Sequence, residues 1–269
     1  MFDRWWVRAC ATVLLGGAAL CLTNAGAGTL GVVLMHGLQG EPTRIIGGLA
    51  SSLRGAGYLV DTPEMCWSRR RLFDRTLPDC LTEIGAAADK LRHEGATAIV
   101  IAGHSLGGTA AIAYGARHPD VLGIIALAPA GDPGAFPPGM NAEAVADSVA
   151  AAQAMVAKGN GDATARFKDV NRGRPFDVMT SATIYLSFLG PDALTHLPAE
   201  VPKLKVPLLW VAGSRDPTQR NEPAYAFEKA PSNPLNRFVT VDADHLGTPD
   251  AASAAVLAWL SDLMPKQQP

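Results

Sequence analysis

The chain has 269 residues, of which 48% are hydrophobic and 18% are charged, and its formal net charge is −2. This composition is sufficient for one folded domain with a sizeable core. The small net charge gives no indication of nucleic acid or an anionic membrane surface as a partner. Its 27 glycines and 20 prolines follow no period, which excludes a collagen-like chain.

The first 27 residues have the pattern of a secretory signal peptide. Arg4 and Arg8 precede an uncharged stretch at 9–22, and the small residues Ala25 and Ala27 suit cleavage. An uncleaved membrane anchor is the alternative, but the stretch is short for a membrane span. We therefore expect residues 1–27 to be removed. The mature chain, 28–269, is expected to be periplasmic or secreted, without a stable membrane anchor.

Export bears on the interpretation of the cysteines. Cys10 and Cys21 lie near the N-terminus, so Cys66 and Cys80 are the two that remain in the mature chain. An even count in an oxidising compartment predicts a disulfide between them, and two buried free thiols are the competing hypothesis. A zinc site needs four ligands and the segment 66–80 contains no histidine, so no metal is expected there.

Short apolar runs alternate with amphipathic segments along the mature chain. The runs predict strands at 30–35, 58–64, 97–103, 121–130, 206–217 and 237–247. Helical patterns fill most of the intervals, and a helix at 248–264 closes the chain. This alternation predicts an α/β fold with a mostly parallel sheet and helices on both faces.

One interval interrupts the alternation. About 70 residues separate the strands that end at Ala130 and begin at Val206, with helical patterns at 141–159 and 181–197. A connection of this length with its own helices predicts an insertion over the sheet. We expect this insertion, at about 132–202, to form a helical lid.

The sequence GHSLGG contains Gly103-x-Ser105-x-Gly107, directly after a predicted strand and before an alanine-rich helix. A nucleophile elbow requires this strand–turn–helix context, and the two glycines remove side chains that would clash at its strained turn. On these residues the chain resembles α/β-hydrolase-fold serine hydrolases of the lipase/esterase kind. The resemblance extends over about residues 29–264.

The resemblance implies a catalytic triad in the chain order nucleophile, acid, base. Ser105 is the expected nucleophile. Asp216 directly follows the strand LLWVAGS and is the expected acid, while His245 follows the last strand and is the expected general base. Asp242 and Asp244 lie close to His245 and are alternative acids.

The resemblance also implies an oxyanion hole with two backbone donors. One is the N–H of Leu106, the residue after the nucleophile, and the other is the N–H of Leu38 in the loop HGLQG. A simple glycine turn is the competing interpretation of that loop.

The stretch CWSRRRLFDRTLPDC, at 66–80, is expected to border the same edge of the sheet as the nucleophile. Trp67 and Arg69 are therefore candidates for contact with the substrate, and the arginines at 69–71 for contact with an anionic group. The competing interpretation is a solvated run of arginines, partly paired with Asp74 or Asp79, because charge runs usually lie in solvent.

Together these features predict an exported serine hydrolase that cleaves a carboxylic ester, or a related acyl bond, through a Ser105 acyl-enzyme. The expected partner is a small-molecule acyl substrate, and no cofactor is implied. Two alternatives use the same fold: a non-catalytic ligand-binding or accessory protein, and an acyltransferase whose acceptor outcompetes water.

Overall fold

The apolar runs form one central sheet in a computed structural model, which describes residues 29–133, 142–217 and 222–264. The predicted signal peptide lies outside these residues. The strands are β1 (Leu30–Met35), β2 (Leu59–Asp61), β3 (Ala98–His104), β4 (Gly123–Leu127), β5 (Thr164–Asn171), β6 (Arg174–Ser181), β7 (Leu208–Gly213) and β8 (Arg237–Val241). The helices are α1 (Gly47–Gly55), α2 (Leu77–His93), α3 (Leu106–Gly115), α4 (Ala142–Ala157), α5 (Ala182–Leu189), α6 (Leu197–Glu200), α7 (Thr248–Ala251) and α8 (Ser253–Leu263).

Six strands form a parallel sheet in the order β2-β1-β3-β4-β7-β8. All residues of β1, β4 and β7 are buried, which explains why their sequences are continuous apolar runs without alternation. The predicted parallel sheet is therefore confirmed. Because the strands are parallel, their carboxyl ends meet at one edge, and the loops that follow them converge there.

Helices cover both faces of this sheet. Successive strand residues point to opposite faces, so Val33 and Ile101 pack with α2 and α3, while Val32 and Val100 pack with α1 and α8. Helix α3 is buried along its whole length. This agrees with its alanine- and glycine-rich sequence, since small side chains let a helix approach the sheet closely.

Helix α2 is capped at its N-terminus by Thr76. The Thr76 hydroxyl accepts a hydrogen bond from the Asp79 N–H at 3.3 Å, and Pro78 lies in the first turn, where its missing N–H costs nothing. Cys80 is therefore a helical residue. It forms a disulfide with Cys66 in the preceding loop, and both cysteines are fully buried.

The insertion between β4 and β7 is only partly helical. It contains α4 and α5, but residues 164–181 form an antiparallel hairpin, β5–β6, that the sequence analysis did not predict. The hairpin turns at Arg172 and Gly173, with φ of 52° and 74°, which is the left-handed pair of a tight hairpin turn.

The insertion lies on the loops at the carboxyl edge of the sheet. Side-chain hydrogen bonds dock it there, among them Thr180 Oγ1 to the Phe73 carbonyl at 2.7 Å, the Leu77 N–H to Ser187 Oγ at 2.9 Å, and Asn171 Nδ2 to Gln39 Oε1 at 2.9 Å. The hairpin therefore covers the edge at which the chemistry was predicted.

Removing the disulfide in a Cys66→Ala/Cys80→Ala variant is expected to lower the free energy of unfolding by about 3 kcal/mol, because the bridge restricts the unfolded chain. Urea unfolding with and without a reductant measures this. Reductant should destabilise the wild-type protein by a similar amount and leave the variant unchanged. Equal stability of all four samples would contradict a stabilising role.

Candidate active site

Ser105 lies on a strained turn between β3 and α3. Its φ of 56° and ψ of −125° are costly for a residue other than glycine. The flanking glycines make the turn possible: a Cβ at Gly103 would lie 2.2 Å from the Gly107 carbonyl oxygen. A Cβ at Gly107 would lie 2.6 Å from the His36 carbonyl oxygen. The Ser105 N–H donates to the Leu127 carbonyl at 2.9 Å, so β4 holds the turn in place.

Ser105, His245 and Asp216 form one chain of hydrogen bonds. His245 Nε2 lies 3.0 Å from Ser105 Oγ, and His245 Nδ1 lies 2.6 Å from Asp216 Oδ2. Asp216 follows β7 and His245 follows β8, so the parallel sheet brings all three to the same edge. Such an arrangement allows the imidazole to take the hydroxyl proton while the carboxylate fixes its tautomer.

The two aspartates close to His245 have other partners. Asp242 is exposed and pairs with Arg215. The Asp244 carboxylate accepts a hydrogen bond from the Gly247 N–H at 2.8 Å. Asp216, in contrast, is buried and contacts the imidazole directly.

His104, which the sequence analysis left outside the site, supports the His245 backbone. Its Nε2 donates to the His245 carbonyl at 2.8 Å, and the two rings lie 4.7 Å apart. Burial, and then the nearby His245, lower the pKa of His104 to about 3. His104 therefore stays neutral and keeps this donor at ordinary pH. The position of His104 next to Ser105 was the one sequence signal for such a role. Its hydrogen-bond partner, the His245 carbonyl, lies 141 residues away in the chain.

The loop after β1 approaches Ser105 closely. A Cβ at Gly37 would lie 2.7 Å from Ser105 Cβ, so glycine is required at this position. Leu38 and Leu106 both line the cavity at Ser105. Leu106 is the first residue of α3, where N–H groups have no helical carbonyl to bind. Both residues therefore lie where an oxyanion hole would be formed.

The segment 65–69 holds the loop 36–40 in place. Four hydrogen bonds join them: Trp67 Nε1 to the His36 carbonyl at 2.9 Å, the Met65 N–H to His36 Nε2 at 3.2 Å, the Gln39 N–H to the Trp67 carbonyl at 2.9 Å, and the Arg69 N–H to the Gly40 carbonyl at 3.2 Å. Burial lowers the pKa of His36, in agreement with a neutral ring that accepts from Met65.

The expected contact of Trp67 with substrate requires correction. Trp67 is fully buried, and it lines neither of the cavities that reach Ser105. A buried indole N–H needs an acceptor, and that of Trp67 finds it in the His36 carbonyl. Trp67 therefore supports the loop that carries Leu38.

Two cavities meet at Ser105 and His245. One is narrow, with a volume of about 50 Å³, and its lining is mostly apolar: Leu38, Phe73, Leu106, Val170, Phe188 and Leu189, together with the carboxylic acid Asp169. The other is an open polar cleft of about 540 Å³, whose lining includes Glu41, Arg44, Arg69 and Arg172. An acyl group and a leaving group can thus extend from the serine in two directions.

The three consecutive arginines have different surroundings. Their ion pairs are Arg70–Glu64 at 3.1 Å, Arg71–Glu83 at 2.6 Å and Arg71–Asp74 at 2.9 Å. The hydrogen bonds to Glu83 raise the pKa of Arg71. Arg69 lines the open cleft, and its contact with a substrate stays a prediction.

In the three described ranges, no group of three or more His, Cys, Asp or Glu side chains is placed to hold a metal ion. Among the helices of those same ranges, none combines the length and apolar character of a membrane span.

A family model described as serine aminopeptidase, S33, matches residues 29–243. No curated protein matches the chain. Among solved structures, the monoacylglycerol lipase of Paleococcus ferrophilus is 21% identical with a TM-score of 0.64, and the match covers 88% of this chain and 96% of that chain.

Two further structures have the same fold. Est1E from Butyrivibrio proteoclasticus, with ferulic acid bound, is 19% identical with a TM-score of 0.62, over 90% of this chain and 92% of that chain. A structure from work on the metagenome-derived lipolytic enzymes LipS and LipT is 19% identical with a TM-score of 0.61, over 88% and 94%. Similarity at this level establishes the α/β-hydrolase fold.

Replacing Gly37 by alanine is expected to slow the reaction of Ser105 with a fluorophosphonate about 100-fold, because the added Cβ would displace the serine side chain. Gly47→Ala is the matched control, since a Cβ there has no neighbour within 4 Å. Mass spectrometry gives the labelling rates, and thermal unfolding checks that both variants fold. Equal rates for the two variants would contradict the close approach.

Proposed function

We propose that this chain, which belongs to the serine aminopeptidase S33 family of α/β hydrolases, hydrolyses carboxylic esters of small molecules. The observation that carries the proposal is the hydrogen-bonded chain from Ser105 through His245 to Asp216, beside a mostly apolar cavity. The choice of an ester as substrate is supported by two solved structures of similar fold, one of a monoacylglycerol lipase and one from work on lipolytic enzymes.

In the first half of the proposed reaction, Ser105 Oγ attacks the carbonyl carbon of the ester and its proton passes to His245 Nε2. Asp216 stabilises the imidazolium that forms. The N–H groups of Leu38 and Leu106 stabilise the negative charge on the carbonyl oxygen. The bond to the alcohol oxygen then breaks, and the alcohol leaves with the proton from His245.

In the second half, water attacks the Ser105 ester. His245 Nε2 takes a proton from the water, and the same two amides stabilise the second tetrahedral intermediate. The bond between Ser105 Oγ and the acyl carbon breaks, Oγ recovers its proton from His245, and the carboxylic acid is released. The open cleft beside Ser105 gives water and the alcohol a path to and from the serine.

A fluorophosphonate probe is expected to label the mature protein, and Ser105→Ala should abolish labelling. A panel of esters with short and long acyl chains, a thioester and an amide then identifies the bond that is cleaved. We expect short acyl esters to be turned over fastest, because the apolar cavity is narrow. Ser105→Ala should lower kcat at least about 1000-fold.

Two alternatives to ester hydrolysis predict other outcomes in the same experiment. An acyltransferase would give transfer products when an alcohol is added, in place of the free acid. A folded, disulfide-bonded protein that neither reacts with the probe nor cleaves any substrate would contradict the proposal and favour a binding protein.

We also propose that the protein is exported. Two observations support this: the signal-like pattern of residues 1–27, and the Cys66–Cys80 disulfide, since disulfides persist in oxidising compartments. N-terminal sequencing of the protein recovered from the periplasm or medium is expected to begin near residue 28. Recovery of the intact chain in the membrane fraction would contradict this.

A further inference from the structure

Asp169 is a buried carboxylic acid in the narrow cavity at Ser105. It lies on β5, on the face of the hairpin that points toward the sheet, and only 3% of its surface is exposed. Its Oδ1 accepts a hydrogen bond from the Val170 N–H at 2.6 Å. Asp169 lines the cavity, and no hydrogen-bond partner of its Oδ2 is found among the described residues.

The nearby cations of the hairpin do not neutralise Asp169. Arg166 and Lys168 lie on the outer face, where both pair with Asp177. Arg172, at the hairpin tip, lines the same cavity, but it is exposed and makes no ion pair with Asp169. Over the residue ranges that the structure describes, no Lys, Arg or His nitrogen lies within 4.0 Å of this carboxylate.

A buried carboxylate without a cation is unfavourable, and structural acids in protein cores are normally paired. Burial raises the pKa of Asp169 to about 7. Phe73, Leu106, Val170, Phe188 and Leu189 give the cavity an apolar surface for an acyl chain, and Asp169 adds a carboxyl group to this part of the lining. A substrate group that donates a hydrogen bond to Oδ2 would stabilise the carboxylate in the cavity, and none of the residues in the described ranges donates to this oxygen.

We infer that Asp169 determines specificity in the acyl site by accepting a hydrogen bond from a hydroxyl or ammonium group carried by the acyl part of the substrate. This inference rests on the proposed function, because it assigns the narrow cavity to the acyl group. Asp169 takes no part in the proton transfers at Ser105. Its role is to favour acyl groups that bear a donor over acyl groups of the same size that do not.

The test uses matched ethyl esters of short linear acids that end in a methyl, a hydroxyl or an ammonium group. A pH-stat gives kcat/KM for each ester. For each acyl length, we compare the kcat/KM of the donor-bearing ester, divided by the kcat/KM of the methyl-ended ester. We expect a ratio of about 10 to 100 for at least one length in the wild-type enzyme. The hydroxyl and ammonium arms show which donor is preferred.

Asp169→Leu is expected to bring this ratio to about 1 or below, since the acceptor is replaced by an apolar side chain of similar size. Asp177→Asn, on the outer face of the same hairpin, is the control and should keep the wild-type ratio. A ratio is unaffected by partial unfolding, because unfolded enzyme loses both activities equally. Hydrolysis with ratios near 1 in the wild type, or unchanged in Asp169→Leu, would overturn the inference and leave ester hydrolysis intact.

Binding measurements test this inference independently of whether the protein hydrolyses esters. The Ser105→Ala protein, with and without Asp169→Leu, is titrated by calorimetry with the free acids of the same series. Tighter binding of a hydroxy or amino acid that disappears with Asp169→Leu supports the inference even if no ester is cleaved. Equal binding of donor-bearing and methyl-ended acids would overturn it.

Discussion

The site depends on how closely the backbone approaches Ser105. Three glycines surround it, at positions 37, 103 and 107, and a Cβ at each would meet the serine or a carbonyl oxygen at less than 3 Å. This crowding keeps Ser105 in a conformation that an isolated chain would avoid. The strain is sustained because β1, β3 and β4 are hydrogen-bonded in register on either side, with Gly103 opposite Met35 and Ala126.

His36, His104 and Asp169 are buried titratable groups near this turn outside the triad, and their surroundings differ. His36 bonds through both ring nitrogens and His104 through Nε2, and burial lowers the pKa of both. Each holds a backbone segment that the site needs: the loop at Leu38 and the loop at His245. Asp169 lines the cavity, and within the described part of the chain the adjacent Val170 N–H is its one hydrogen-bond partner. This contrast is why we assign it to the ligand.

The sheet and the elbow were predictable because they depend on local sequence. Continuous apolar runs identify buried parallel strands, and glycines flanking Ser105 identify a strained turn. The resemblance to α/β hydrolases then implied that Asp216 and His245 would lie near the serine, and in the structure all three are joined by hydrogen bonds.

Other features depend on partners far away in the sequence. The hairpin β5–β6 is exposed on one face and carries charged residues there, so it lacks the continuous apolar run by which the central strands were predicted. Trp67 was predicted to contact substrate, but its indole N–H donates to the His36 carbonyl, and the bond from His104 to the His245 carbonyl joins residues 141 positions apart. Such contacts are set by tertiary packing, which local patterns do not encode.

The tip of the hairpin has a consequence for how the fold can be altered. Asn171 donates both to Gln39 Oε1 at 2.9 Å and to the Leu38 carbonyl at 3.3 Å, so the cover of the site is bonded to the loop that forms its wall. The insertion is therefore not an independent module. A chimera that exchanges the insertion between relatives must transfer residue 39 along with residue 171 to keep this hydrogen bond.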